Sequence, residues 1–462
     1  MFKKLSVVLS LIMILQLFPL STANAFDPFG EIVARSAILA DMETGLILFE
    51  KDSHSRQYSD GLTRIMTLYI AALAVENNEV SDNELIVMTD TAWENLGNYN
   101  PDQNPPQIRP GETMTFIDLM YSAYSGRFPE ACNMIAIRIA GSIGTYVSMM
   151  NEKATEIGLE NTRFVNTHGR HHESQYTTAF DMFTLYKEAT SSMLFNEISG
   201  TFRHYTEQVG DNPIRTITSS NDMLNQNSRY FYRACLSGIS SATFEGGYSL
   251  VASALEDDLT LVSVVLGSSA IMNDDNSTNM RNFTETHRLF MWGYAQYGWR
   301  EILRTTDLIA RVPIKHGAGA DFVNVRPNES LVLLLRKSIP SESFIRDIKL
   351  FYDEDYNPLI APIDAGIVLG EVIVSYQNTE YARIELVSNT GIDLNGVEFI
   401  RLQIVALLST PLVRNILLIL LLIVLAYIAL VIRYNVIRAK RLKRIRLAKE
   451  NIVNERHRNP NE

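Results

Sequence analysis

The chain has 462 residues, 46% of them hydrophobic and 20% charged, a globular composition long enough for two or three domains that excludes wholesale disorder. Its formal charge of −11 hides a polarity: ten Lys or Arg and three Glu lie from Arg433 onward, and two Lys sit in the first 25 residues. The remainder holds 29 basic and 49 acidic residues, a body charge of −20 that excludes a nucleic-acid binder.

Lys3 and Lys4, an apolar run from Leu5 to Leu20 and Ala23-Asn24-Ala25 form the pattern of a secretory signal peptide, so residues 1–25 are expected to be removed and Phe26 to begin the mature protein. Ser36 to Lys51 reads as strand, turn, strand, with Glu43-Thr44-Gly45 in the turn. Gln57 to Ala74 follows as a helix whose apolar residues, Leu62, Ile65, Met66, Leu68, Ile70, Ala71 and Leu73, leave little polar surface. It is expected to be enclosed by the fold, with Ser59 and Asp60 as its N-cap.

Asn95 to Gly111, rich in Asn, Pro and Gly, is a loop. Helices are expected over Thr115 to Ser125, with Thr115 and Asp118 spaced as a capping box, over Glu130 to Ala140, and over Thr145 to Ile157, with Gly158 as C-cap. After the polar loop Asn161 to Tyr176, Thr178 and Asp181 cap a helix expected to reach Met193. Tyr248 to Leu255 and Leu259 to Leu266 read as a hairpin at the back of the domain, and Asn279 to Tyr297 returns to helical spacing.

From about Asp307 the chain changes to short β segments, which predicts a β-rich domain over 307–408 after a first domain over 26–300. Ile416 to Ile432 is unbroken apolar sequence, so a spanning helix is expected over 412–433. The basic tail 434–462 then stays in the cytoplasm and the body outside, at the cell membrane. Cys132 and Cys235 are expected to be buried free thiols.

These segments carry a resemblance. SAILADMETG with LILFEK, the helix residues LT-IMT, PGETMTFIDLMY (Pro110 to Tyr121), MNEKATEIGLENTRFVNTHG (Met150 to Gly169), YTTAFDM (Tyr176 to Met182), EGGYSLVASA (Glu245 to Ala254) and API-AG-VLGE (Ala361 to Glu371) resemble, in this order, the serine-type D-Ala-D-Ala carboxypeptidases, the low-molecular-mass penicillin-binding proteins. The resemblance implies an α/β transpeptidase or β-lactamase-like domain, helices on an antiparallel sheet, then a small all-β domain and a C-terminal anchor.

The family's chemistry rests on three motifs, each altered here. The S-x-x-K pair of nucleophile and base becomes Gly61-Leu62-Thr63-Arg64. Glycine has nothing to acylate, and arginine is too strong a base to take a proton near neutrality. The S-G-N position reads Arg127-Phe128-Pro129, or Ser125-Gly126-Arg127 with a two-residue slip; K-T-G reads Ile239-Ser240-Ser241.

The expectation is a pseudoenzyme at the cell envelope with a peptidoglycan-related binding, scaffolding or regulatory role, needing no cofactor. Its partners would be peptidoglycan stem peptides or cell-wall enzymes. Arg64 and Arg127 offer charge for a peptide carboxylate, whereas Phe128 and Ile239 packed inward would fill the cleft. The alternative is an active carboxypeptidase with a displaced nucleophile among Ser59, Ser125, Ser240 and Ser241, none followed three residues later by lysine. His168, His171, His172 and Glu173 have a metal-like spacing, but the resemblance assigns His168-Gly169 to loop scaffold, so no metal is expected.

Overall fold

A computed structural model describes residues 30–93, 96, 108–125, 128–272, 278–353 and 355–458. The expected signal peptide, most of the Asn95 to Gly111 loop, and Gly126 and Arg127 lie outside the described residues. Two compact units divide the chain, Met1–Arg300 with Leu334–Ile339, and Glu301–Leu333 with Pro340–Glu462.

The first unit is built on five antiparallel strands: β1 (Ser36–Asp41), β2 (Ile47–Lys51), β3 (Cys235–Thr243), β4 (Gly247–Glu256) and β5 (Leu259–Ser268), in the order β2-β1-β5-β4-β3. The β4–β5 hairpin turns at Asp257 and Asp258, both at positive φ, and lies at the centre of the sheet rather than at its back. Both sheet faces are covered, which is why these strands read as near-continuous apolar runs. Ile38, Ala40, Val251, Val262 and Val264 face one core, and Ala37, Leu39, Leu250, Ala252 and Val265 face the other.

The first core is filled by α1 (Arg64–Glu76), α2 (Phe116–Ser125), α3 (Pro129–Ala140), α4 (Ile143–Glu156), α5 (Ala179–Ala189) and α6 (Met193–Gly200). Ten of the thirteen residues of α1 are buried, as its all-round apolar sequence requires. Each large side chain there adds roughly 1.5–3 kcal/mol by leaving water. The start of this helix differs from expectation: Asp60–Thr63 form a 3-10 turn, and Ser59 bonds Thr63 side chain to side chain at 2.9 Å instead of capping a backbone amide.

Other caps follow the sequence. Thr115 accepts from the Asp118 amide, though Asp118 turns its carboxylate to His204 and the Glu207 amide rather than completing the box. Thr178 accepts from the Asp181 amide. The helix begun there ends at Ala189, and Ser192 caps a separate α6, because Ser191-Ser192 offers the backbone a competing turn. Gly158 sits at φ +79 after α4.

The second core holds α7 (Arg281–Gln296), which lies on the sheet through Phe283, Leu289, Phe290 and Trp292. Gly293 permits the approach: a Cβ there would stand 2.6 Å from Leu261 Cδ1 and 2.8 Å from Leu39 Cδ2.

In the second unit β6 (Ala310–Lys315), β7 (Phe322–Pro327), β8 (Ile345–Leu350), β9 (Leu359–Ile360), β10 (Val368–Tyr376) and β11 (Thr379–Ser388) form a sheet in the order β8-β10-β11-β7-β6-β9. The strands stop at Ser388; α8 (Gly396–Ser409), capped by Asn395, occupies the end of the stretch expected to be all β. Thr410 separates it from α9 (Pro411–Arg458), whose apolar part has mean hydropathy 3.1 over 18 residues, none of it buried, and is long enough to cross a bilayer. Both cysteines are free; Cys132 is buried, and Cys235 is half-buried rather than fully enclosed.

Replacing Gly293 by Ala is expected to destabilise the first unit by about 1–3 kcal/mol, through the crowding of Leu39 and Leu261. Chemical denaturation monitored by tryptophan fluorescence measures it.

Candidate functional site

The segments singled out in the sequence meet where the 3-10 turn Asp60–Thr63 faces edge strand β3. Gly61 donates its amide to Ser241 Oγ at 3.0 Å, a contact between residues 180 positions apart. Arg64, on the next turn, folds back so that Nε donates to the Gly61 carbonyl at 2.7 Å and Nη2 to the Ser240 carbonyl at 3.4 Å. A Cβ built on Gly61 would lie 2.6 Å from Arg64 Nη2, 2.8 Å from Ser241 Oγ and 3.1 Å from Ser241 Cβ. The volume a residue-61 side chain would use is therefore taken by a guanidinium and a hydroxymethyl group.

Alternation along β3 explains the fillers. Ile239 and Ser241 share one face of the strand, and Ser240 lies on the other, where its hydroxyl bonds the Ser249 carbonyl and accepts from Asn282 Nδ2 at 3.2 Å. Ile239 is fully buried in the same core as Leu62, Tyr124 and Phe128. Phe128 is 1% exposed and precedes α3, with Pro129 in the first turn of that helix. Arg127 lies outside the described residues. Ser125 is buried and donates to the Ser122 carbonyl at 2.8 Å.

Asp60 ties the turn to the end of β3, a role the sequence reading missed. Its backbone stands at φ +40, and its carboxylate accepts from Thr243 Oγ1 at 2.5 Å and faces His171 Nδ1 at 3.5 Å. Two glycines make room for it. A Cβ at Gly246 would come 1.8 Å from Asp60 Oδ2, and one at Gly169 would come 2.0 Å from the Asp60 carbonyl oxygen. Asp60-Gly61, His168-Gly169 and Gly246-Gly247 were the only hints in the sequence that backbones meet here.

The histidines are dispersed. His168 Nδ1 accepts from the Arg170 amide, His172 Nδ1 accepts from the Ser174 amide, and His171 turns to Asp60. Burial lowers the His168 pKa to about 3, so its imidazole is neutral. No group of three or more metal-ligating side chains occurs among the described residues.

Electrostatically the site holds a buried cation, Arg64, and a carboxylate, Asp60, each hydrogen-bonded to neutral groups. Burial lowers the pKa of Arg64, yet guanidinium is so strong a base that it stays charged. Its partners here are carbonyl oxygens, not a carboxylate. Burial pushes the nearby Cys132 thiol up to about 12, so no thiolate forms. The Glu130 carboxyl, held by the Ile108 amide at 3.0 Å, is pushed up to about 7 by burial.

Among the described residues, the lysines of the first unit are elsewhere. Lys51 donates to the Ile32 carbonyl, Lys187 to the Glu43 carbonyl and Lys337 to the Tyr294 carbonyl, while Lys153 pairs with Glu156. None of these contacts involves a serine.

With this geometry in view, comparison with known proteins is informative. The family description "D-alanyl-D-alanine carboxypeptidase" matches residues 21–270, more than half of the chain. The chain belongs to the D-alanyl-D-alanine carboxypeptidase family. Within that family it is 25% identical over 342 residues to D-alanyl-D-alanine carboxypeptidase DacF of Bacillus subtilis, covering 74% of this chain and 81% of the relative. It is 26% identical over 341 residues to DacC of Escherichia coli, covering 73% and 79%.

Penicillin binding protein 5 of Haemophilus influenzae superposes with TM-score 0.56 at 21% identity, over 79% of this chain and 98% of that one. The peptidoglycan synthesis regulatory factor PBP3 of Streptococcus pneumoniae gives 0.57 at 23%, over 79% and 100%. The fold is thus that of the penicillin-binding proteins, and the carboxypeptidase family is the frame for residues 61, 64 and 239–241.

Glu130 supplies a pH test. Its folded pKa lies above the ordinary carboxyl value, so the native state holds this proton after the unfolded chain has released it. Stability should fall as pH rises from about 4.5 to about 7, by on the order of 3 kcal/mol from this one group. Glu130→Gln is expected to flatten that stretch of the stability profile in urea titrations at fixed ionic strength.

Proposed function

We propose that this chain is a catalytically inactive member of its family, anchored in the cell membrane, with a binding, scaffolding or regulatory role in peptidoglycan metabolism. The observation that carries the reading is the space above Gly61. An acyl-transfer nucleophile needs a hydroxyl there and a base within hydrogen-bond reach. At this position stand the Arg64 guanidinium and the Ser241 side chain.

Three further observations support it. Ile239 and Phe128 are apolar and buried where the family pattern has a lysine and a polar segment. The described first-unit lysines donate to other groups, so none of them is placed to deprotonate Ser59, Ser125, Ser240 or Ser241. Asp60 sets a carboxylate at the groove mouth, which repels the anionic end of a peptide. The filled-cleft reading therefore stands ahead of capture of a peptide carboxylate by Arg64.

The apolar part of α9 and the basic residues after Arg433 support a single span with the tail in the cytoplasm. The body then faces the cell wall, within reach of stem peptides and of the enzymes that act on them.

Fluorescent penicillin tests the reading. The full chain is expected to give no covalent band, beside an active family member that labels strongly. Gly61→Ser alone should also stay unlabelled and lose stability, because its Cβ meets Arg64 and Ser241. A band in the unmodified chain that disappears on replacing any one of the four serines would establish a displaced nucleophile.

A further inference from the structure

The second unit holds an open recess of about 540 Å³ that the altered catalytic positions do not touch. Its walls are two loops, residues 316–321 between β6 and β7, and residues 389–394 after β11. Backbone contacts hold the loops side by side: the Ala318 amide donates to the Asp393 carbonyl at 2.8 Å, the Asn389 amide to the Asn324 carbonyl at 2.9 Å, and Gly317 bridges Leu394. Small residues keep the recess open, and a Cβ at Gly319 would meet nothing within 4 Å.

We propose that this recess is a binding site for an uncharged oligosaccharide. The polar residues of the lining are Asp321, Asp393, Asn324 and Thr390. The two acidic residues disfavour anions and suit a ligand rich in hydroxyl donors, and the Arg311 guanidinium, 4.5 Å from the centroid of the Phe322 ring, borders the recess as a further donor. Phe322, 42% exposed, supplies apolar surface for the C–H face of a sugar ring on the side that Arg311 does not cover, above a floor that includes the buried Ile392.

Size separates a sugar from a metal ion. A volume of about 540 Å³ lies in the range of small-molecule sites and far exceeds the share of a single water or cation. No group of three or more metal-ligating side chains is found among the described residues, and two carboxylates alone fall short of the six to eight oxygens that calcium takes. A chain tethered beside the cell wall would hold the glycan part of its surroundings here, independently of any acylation chemistry.

The test is isothermal titration of the full chain in phospholipid nanodiscs with a β-1,4-linked tetramer of N-acetylglucosamine, which carries neither peptide nor charge. Saturable binding is expected. Asp321→Asn and Asp393→Asn, surface changes that preserve shape, should each weaken it about tenfold, the effect of one charge-assisted hydrogen bond. Phe322→Ala should weaken it as well. Absence of saturation at millimolar tetramer, or affinity unchanged in the double Asp variant, would overturn the assignment; either result leaves the penicillin-labelling outcome independent.

Discussion

A guanidinium buried against the Gly61 and Ser240 carbonyls joins the first turn of the central helix to the edge strand of the sheet. Around it the groove is organised by exclusion. Gly61 is tolerable because Arg64 and Ser241 occupy its side-chain space, and Ser241 is held by the amide of Gly61 itself. Asp60 extends the same closure outward to Thr243 and His171. Burying a charge is costly unless it is satisfied, so each neighbouring carbonyl is part of the arrangement.

The fold survives this rearrangement because the groups that build the cores are not the groups that would react. Leu62, Ile65 and Met66 anchor the helix whatever stands at positions 61 and 64, and the β4–β5 hairpin is gripped on both faces by aliphatic side chains. On the proposed reading, a family scaffold loses its nucleophile, base and carboxylate clamp without losing its shape. Asn133 shows the same division: its amide bonds the Ala92 carbonyl and Thr167, scaffold work inside α3.

Most of this was legible in the sequence where periodicity or local chemistry decides the outcome. The all-round apolar α1, the cap at Thr178 and the paired strands follow from short-range rules, whereas the sequence left open whether Phe128 and Ile239 pack inward, as they do. What was not legible depends on long-range approach or on a backbone choice. Asp60 reads as an N-cap by residue type, but its positive φ and its bond to Thr243, 183 positions away, appear only when the chain is folded. His171 has a metal-like spacing with His168 and His172 that leaves its partner unstated, and it is turned to that aspartate. The helix Gly396–Ser409 was absorbed into a β region because its neighbours were strands.

The most direct measurement of the central claim is a crystal structure of the protein grown with a β-lactam. The account predicts Arg64 Nε bonded to the Gly61 carbonyl, Ser241 against the Gly61 amide, and no covalent link between the antibiotic and any side chain. Continuous density from the opened lactam carbonyl to a serine, with the guanidinium swung out of the space above Gly61, would contradict it.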